Sequence, residues 1–245
     1  MPAYSRAIFA TQKCAFARSA NCDSILCDSS SLISITESCF LPMLSALRMH
    51  MRGDFLLPER VKYECIDHPL NLKEHTLAAV RMKQALNEGV LVPVEKIDII
   101  KRREDVQWLA NNSFFMESRP LKLLHDGESE MLALALELGV SNILIDERTT
   151  RLLAEDPYAL HSHMESEFGR KIAVNENYLK QFRALTSNLN IFRSSELLAV
   201  AYEHGFFKQY KNLERRALES ALYGLKFAGC GVSFDEIEEY LRSLK

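Results

Sequence analysis

Two acidic residues directly follow short apolar segments, and this placement could build a site for chemistry on phosphates. Asp28 comes after Ile25-Leu26-Cys27, and Asp146 comes after Ile143-Leu144-Ile145. Both segments are typical of buried strands. Because ligands bind beyond the carboxyl ends of the strands in an open parallel sheet, both carboxylates are expected at the same edge of the sheet.

Two further acids lie in segments that could face this edge. Glu64 lies in a helix predicted after the strand at 55–57, and Glu128 lies at the predicted start of the helix before the strand of Asp146. Carboxylates gathered at one edge repel each other unless a cation lies between them. Mg²⁺ prefers oxygen ligands. The four acids therefore predict a divalent metal site that activates water for in-line attack on a phosphate.

Each of the four acids also has a purely structural explanation. Asp28 or Asp146 could cap the helix that follows it. Glu128 would suit a first helical turn because of the helix dipole, and Glu64 could be an exposed helix acid. Only the joint placement of the acids favours a functional site.

Strands and helices alternate in the pattern from residue 24 to about residue 190, which predicts a parallel α/β sheet of four to five strands flanked by helices. Strands are predicted at 24–27, 55–57, 90–92 and 142–145, with 171–174 as a candidate fifth strand. Helices are predicted at 40–51, 58–68, 72–87, 105–111, 128–138, 149–155, 177–186, 195–204, 212–227 and 234–244, with a further helix after Ser29 to Ser31, whose hydroxyls could cap it. The chain thus divides into a tail at 1–23, an α/β domain at 24–190 and a helical extension at 191–245 that packs on it.

The acidic segments resemble the motifs of PIN-domain nucleases. Residues 25–33 (ILCDSSSLI) are similar to the opening strand, acid and small hydroxyl residue of that family, and residues 57–64 (LPERVKYE) are similar to its second block. Residues 126–135 (DGESEMLALA) and 143–151 (ILIDERTTR) resemble the last two blocks of one PIN subgroup. The segments occur in the order of the family and span residues 24 to about 175.

The resemblance implies a Mg²⁺- or Mn²⁺-dependent endoribonuclease with RNA as its substrate. Asp28, Glu64, Glu128 and Asp146 would be the catalytic and metal-binding acids, with Asp126 and Glu130 as alternatives to Glu128. Ser30 would orient Asp28 or a water. Arg148 and Arg151 would contact substrate phosphate, or would pair instead with Glu147 or Glu155.

The helices after residue 190 distinguish this chain from short PIN toxins. A homodimer and an antitoxin-like protein partner both remain open. A non-catalytic PIN-like scaffold that binds RNA or protein is the alternative function.

Three other folds with an acid or a glycine-rich turn after the first strand are disfavoured. A haloacid-dehalogenase-like phosphatase needs a second acid where Ser30 stands, and a receiver domain needs an acidic pair that Asp28 lacks. A dinucleotide-binding fold needs a glycine-rich turn where residues 29–31 are serines.

Composition fits an ordinary globular protein, with 47% hydrophobic and 26% charged residues and a net charge of −3. No apolar run reaches the length of a transmembrane helix, so no membrane association is expected. The six cysteines include no Cys-x-x-Cys pair, which favours reduced thiols and a cytoplasmic location.

The first 22 residues carry Arg6, Lys13 and Arg18 and no acid, superficially like a transit peptide, and are interpreted as an N-terminal tail. His161-x-His163 is the only close histidine pair and is expected on a polar helix or loop.

Overall fold

The computed structural model describes residues 24–244, and the predicted tail lies outside these residues. The strands are β1 (Ile25–Cys27), β2 (Phe55–Leu57), β3 (Leu91–Pro93), β4 (Phe114–Met116), β5 (Arg119–Pro120), β6 (Asn142–Leu144), β7 (Ala173–Val174) and β8 (Asn190–Phe192). The helices are α1 (Ser29–Glu37), α2 (Leu41–Arg48), α3 (Glu59–Lys62), α4 (Thr76–Asn87), α5 (Ile100–Asn111), α6 (Asp126–Leu138), α7 (Arg148–Glu155), α8 (Pro157–Phe168), α9 (Glu176–Thr186), α10 (Ser194–Glu203), α11 (Glu214–Phe227) and α12 (Phe234–Ser243). A short π-helix at Tyr63–Asp67, called the π-turn below, continues α3.

The main sheet is parallel, with the strand order β3-β2-β1-β6-β8. Ile25 pairs with Phe55 and Phe55 pairs with Leu91 across the first three strands. Beyond β1 the backbone N–H of Asp28 donates to the carbonyl of Leu144 at 3.0 Å. The α/β class and the parallel sheet predicted from the sequence are confirmed.

A second sheet was not predicted, and it changes the assignment of two segments. It is antiparallel, with the order β5-β4-β7. The predicted strand at 171–174 forms β7 of this small sheet and is therefore not the fifth strand of the main sheet. The fifth strand is β8 at Asn190–Phe192. The expectation that no strand follows residue 190 was wrong, because three residues are too few to show an alternating pattern.

Two compact units divide the chain. Of the described residues, the first contains 24–95, Leu144–Asp146 and 192–244, and the second contains Lys96–Ile143 and Glu147–Ile191. This division differs from the α/β domain at 24–190 and extension at 191–245 that the sequence suggested.

In the first unit, the C-terminal helices pack on the helices that follow β1. Helix α10 contacts α1, α2 and α11, and α11 contacts α12. Leu32 and Ile35 of α1 and Leu198 of α10 are fully buried. Strand β1 is buried along its whole length, as expected for a parallel sheet flanked by helices.

In the second unit, α6 packs on α5, and α9 packs on both α5 and α7. Gly139 ends α6 in the left-handed conformation at φ +64°, as its position after an apolar helix predicts. Helix α8 begins at Pro157 and carries both His161 and His163.

Within residues 24–244, no single helix combines the length and the apolar composition needed to cross a bilayer. Only α1 and α2 taken together as a pair bent by 108° have that length and composition. Cys27, Cys39, Cys65 and Cys230 are free thiols.

Candidate functional site

Asp28 and Asp146 lie at the same edge of the main sheet in the first unit, where β1 and β6 end. Ser30 links them. Its hydroxyl donates to Asp28 Oδ2 at 2.5 Å and accepts from the backbone N–H of Asp146 at 3.3 Å. At the edge predicted from the two strand ends, one serine hydroxyl therefore bonds both the Asp28 carboxylate and the backbone of Asp146.

Asp28 is also the N-cap of α1. Its Oδ2 accepts the backbone N–H of Ser30 at 3.0 Å. Residues 29–31 lie inside the helix, so the expectation that their hydroxyls would cap it was wrong. Asp28 is half-buried at the strand end. Its structural explanation as a helix cap is confirmed, and its catalytic role stays a prediction.

Asp146 is the most enclosed of the predicted acids, with 1% of its surface exposed. Its Oδ1 accepts the backbone N–H of Ser194 at 2.7 Å, and its Oδ2 accepts the Ser194 hydroxyl at 2.7 Å. Ser194 is the first residue of α10, so the carboxylate lies at the positive end of that helix. The carbonyl of Asp146 accepts the N–H of Gly231 at 3.0 Å.

A buried ion pair involves Arg193, the residue before Ser194. Arg193 is fully buried, and its guanidinium donates to Glu196 Oε1 at 2.6 and 3.0 Å and to the Gly231 carbonyl at 3.0 Å. Glu236 of α12 lies 3.1 Å from the same guanidinium. Burial alone would lower the pKa of Arg193, but Glu196 and Glu236 outweigh it and raise that pKa above its ordinary value. Arg193 therefore stays charged, and its contact with Glu236 ties the start of α10 to α12.

Three cysteine thiols near the acids are held neutral. Burial, and then the charge of Asp28, raises the pKa of Cys65 to about 12. The same two causes raise the pKa of Cys27 well above its usual range. Burial and the charge of Asp146 raise the pKa of Cys230 to about 11. These groups are poor nucleophiles and metal ligands, because both roles need the thiolate.

Glu64 lies in the π-turn after α3, next to Cys65, whose pKa its charge also raises. Its Oε1 accepts from Arg60 Nε at 2.8 Å, and its side chain is 38% exposed. Neither Asp28 nor Asp146 is a hydrogen-bond partner of Glu64 within residues 24–244. The helix position predicted for Glu64 is confirmed.

Glu128 and Arg148 belong to the second unit, where both line one cavity of about 440 Å³. Glu128 Oε2 accepts the backbone N–H of His125 at 3.0 Å and so caps α6. Arg148 is exposed at the start of α7. The alternatives to Glu128 differ in setting, since Asp126 Oδ1 accepts from Gln107 at 3.0 Å and Glu130 is half-buried farther along α6.

Arg151 takes the second of its two predicted roles. Its Nη1 pairs with Glu155 at 3.1 Å, and its side chain is 7% exposed. This guanidinium is turned into the protein, so it is not displayed to a phosphate.

The carboxylate oxygens at the sheet edge of Asp28 and Asp146 suit a divalent metal ion, but the described residues do not form a complete set of protein ligands. Carboxylate oxygens suit Mg²⁺ and Mn²⁺, and Mg²⁺ is often held by one or two carboxylates together with substrate phosphate and waters. Asp28 and Asp146 provide that minimal set. Across residues 24–244, no group of three or more His, Cys, Asp or Glu side chains is arranged to hold a metal ion.

Sequence reasoning missed the residue that holds the Asp146 carboxylate. Ser194 lies 48 residues away, after a strand too short to predict. The one available signal was Ser194-Ser195-Glu196 ahead of an apolar run, which marks a helix start whose N–H groups need an acceptor. No family model, no curated protein and no solved structure matches this chain.

Proposed function

We propose that this protein is a divalent-metal-dependent endoribonuclease whose reaction site is built on Asp28 and Asp146. The observation that carries the proposal is the position of these two acids at the carboxyl ends of β1 and β6, where the Ser30 hydroxyl bonds the Asp28 carboxylate and the backbone N–H of Asp146. Ligands of open parallel sheets bind at this edge. The PIN-like order of the acidic segments in the sequence supports the same activity.

The side chains at this edge would hold and orient the reacting groups. Ser30 fixes the Asp28 carboxylate with both its N–H and its hydroxyl, and Ser194 fixes that of Asp146. A carboxylate has about four lone-pair sites, so two accepted bonds leave Asp146 able to accept more. When bound there, Mg²⁺ or Mn²⁺ would polarise the phosphodiester and make nearby water more acidic.

Other parts of the sequence-based prediction stay predictions. The charges of Glu64 and Asp28 both act on Cys65, and the catalytic roles of Glu64 and Glu128 remain to be tested by Glu64→Gln and Glu128→Gln variants. The cytoplasmic location, the homodimer and the antitoxin-like partner also remain predictions.

The test is cleavage of a mixed RNA pool in the presence of Mn²⁺ by the native protein and by Asp28→Asn. Asparagine caps helices about as well as aspartate, so this variant should keep α1 while losing a negative ligand. Asp105→Asn makes the same chemical change at an exposed position of α5 and is the matched control. We expect cleavage by the native protein and the control, and loss of at least 100-fold, roughly the effect of removing one key catalytic group, in Asp28→Asn. Equal cleavage by all three proteins would contradict the proposal.

A non-catalytic PIN-like scaffold is the second candidate, and two observations favour it. Asp146 is 1% exposed, and residues 24–244 form no cluster of three metal-ligating side chains. A scaffold would bind RNA or a protein partner without Mn²⁺-dependent cleavage. Gel-shift assays that find equal RNA affinity for the native protein and Asp28→Asn, with no cleavage by either, would favour this candidate.

A further inference from the structure

A cavity in the second unit has the size of a small-molecule site. It encloses about 440 Å³, within the roughly 300–1,000 Å³ of ligand pockets. It lies where α6 and α7 begin, beside the middle and end of α8.

The acids of this cavity already have partners in the protein. Glu147 accepts the backbone N–H groups of Thr149 at 2.7 Å and Thr150 at 2.6 Å and so caps α7. Glu128 caps α6 through the N–H of His125. Because these carboxylates compensate the positive ends of their own helices, their charge is partly cancelled before any ligand arrives.

The cations of the cavity are not paired in this way. Lys122 and Arg148 are both exposed, and within residues 24–244 neither has an ion-pair partner. The third acid, Glu167, lies 3.7 Å from His163 of the same helix. Lysine and arginine are the side chains that bind phosphate most strongly, arginine through two parallel hydrogen bonds. Lys122 and Arg148 therefore offer an anionic group two cations that no carboxylate of the described residues pairs with.

Apolar side chains of α8 line the same cavity. Leu160 and Met164 are buried, and Phe168 is 47% exposed at the end of the helix. An exposed aromatic ring offers a stacking surface to a nucleobase, which favours a base over a simple anion. A ligand that carries an anionic group beside a flat aromatic ring matches a nucleotide.

We propose that this cavity binds a nucleotide unit of RNA, with Lys122 and Arg148 on the phosphate and Phe168 against the base. The inference rests on the proposed function in taking RNA as the source of the nucleotide. The cavity itself needs neither a metal ion nor cleavage to bind.

The test is a titration of the full-length, ¹⁵N-labelled protein with uridine 5′-monophosphate and adenosine 5′-monophosphate, without divalent metal. We expect amide shifts clustered at residues 121–125, 147–149 and 160–168, with weaker binding of uridine or inorganic phosphate alone. Arg148→Ala should lower the affinity about tenfold, the typical effect of losing one charged hydrogen bond. Lys180→Ala removes an exposed cation of α9 that does not line the cavity, and it should bind like the native protein.

Equal affinity of Arg148→Ala and the native protein, or shifts outside the cavity, would overturn the inference. Its failure is separable from that of the nuclease proposal. Mn²⁺-dependent RNA cleavage without nucleotide binding at this cavity rejects the cavity alone. Nucleotide binding that Arg148→Ala weakens supports the cavity even when no RNA is cleaved.

Discussion

Ser194 holds both carboxylate oxygens of Asp146, one with its backbone N–H and one with its hydroxyl, each at 2.7 Å. The pair joins the end of β6 to the start of α10, which lie far apart in the sequence. It makes Asp146 a structural residue as well as a candidate catalytic one. Stability and activity must therefore be measured separately for variants at this position.

The hydroxyl of Ser194 should contribute measurably to folding. Ser194→Ala removes one hydrogen bond to a buried carboxylate and keeps the backbone one, so we expect a loss of about 1.5–3 kcal/mol in the free energy of unfolding. Urea denaturation followed by circular dichroism measures it. Ser187→Ala, at an exposed helix end, is the control and should change stability little. An unchanged unfolding midpoint in Ser194→Ala would show that the hydrogen bond from this hydroxyl to Asp146 contributes nothing to stability.

Asp28 and Asp146 should respond differently to the same substitution. Asp28→Asn keeps a good N-cap and should stay within about 0.5 kcal/mol of the native stability. Asp146→Asn keeps an oxygen for the backbone N–H of Ser194 but replaces the charged acceptor of the Ser194 hydroxyl with an N–H₂ donor, and it should cost about 1–3 kcal/mol. Thermal and urea unfolding compare the two variants. Equal losses would mean that the two acids have equivalent structural roles.

The buried charge of Arg193 predicts a larger effect. Arg193→Met leaves Glu196, which is 2% exposed, without its cation and should destabilise the protein by about 3–5 kcal/mol. Arg242→Met breaks an exposed pair with Glu238 and serves as the control, with little change expected. If Arg193→Met lost no more stability than the control, the ion pairs of Arg193 would not stabilise the packing of α10 on α12.

The buried thiols predict a loss of stability at alkaline pH. The pKa of Cys230 is raised to about 11 in the folded state, from about 9.0 when unperturbed. The unfolded chain therefore releases this proton first as the pH rises. The contribution of the protonated Cys230 thiol to the free energy of unfolding is complete below pH 9.0 and is lost between pH 9.0 and about 11.

Urea denaturation across this pH window isolates the effect of Cys230. The native protein should lose up to about 1.4 kcal/mol per pH unit more than Cys230→Ser. Cys39→Ser removes an exposed thiol and controls for the loss of a sulfur atom. Parallel pH profiles for the native protein and Cys230→Ser would contradict the assigned shift.

The sequence predicted the elements with strong local patterns. The strands before Asp28 and Asp146 are continuous apolar runs, and the ends of α6 and α4 carry glycines at 139 and 89 that adopt positive φ. These signals depend only on neighbouring residues. They were enough to place the two acids at one sheet edge, because parallel strands align their carboxyl ends.

Features that depend on distant residues were missed. Strand β8 is three residues long and has no pattern of its own, so only its place beside β6 makes it a strand. The pairing of β4 with β7 joins Phe114 to Val174, a separation that no local pattern encodes. For the same reason, the burial of Asp146 could not be predicted without knowing that Ser194 lies against it.

The central claim is that the edge formed by Asp28 and Asp146 binds a divalent cation, and the most direct measurement is a Mn²⁺ titration of the ¹⁵N-labelled protein. Paramagnetic broadening should centre on the amides of Asp28, Ser30 and Asp146, saturate with added Mn²⁺, and disappear in Asp28→Asn but persist in Asp105→Asn. Broadening that is the same in the native protein and Asp28→Asn, or that centres on other residues, would contradict the claim.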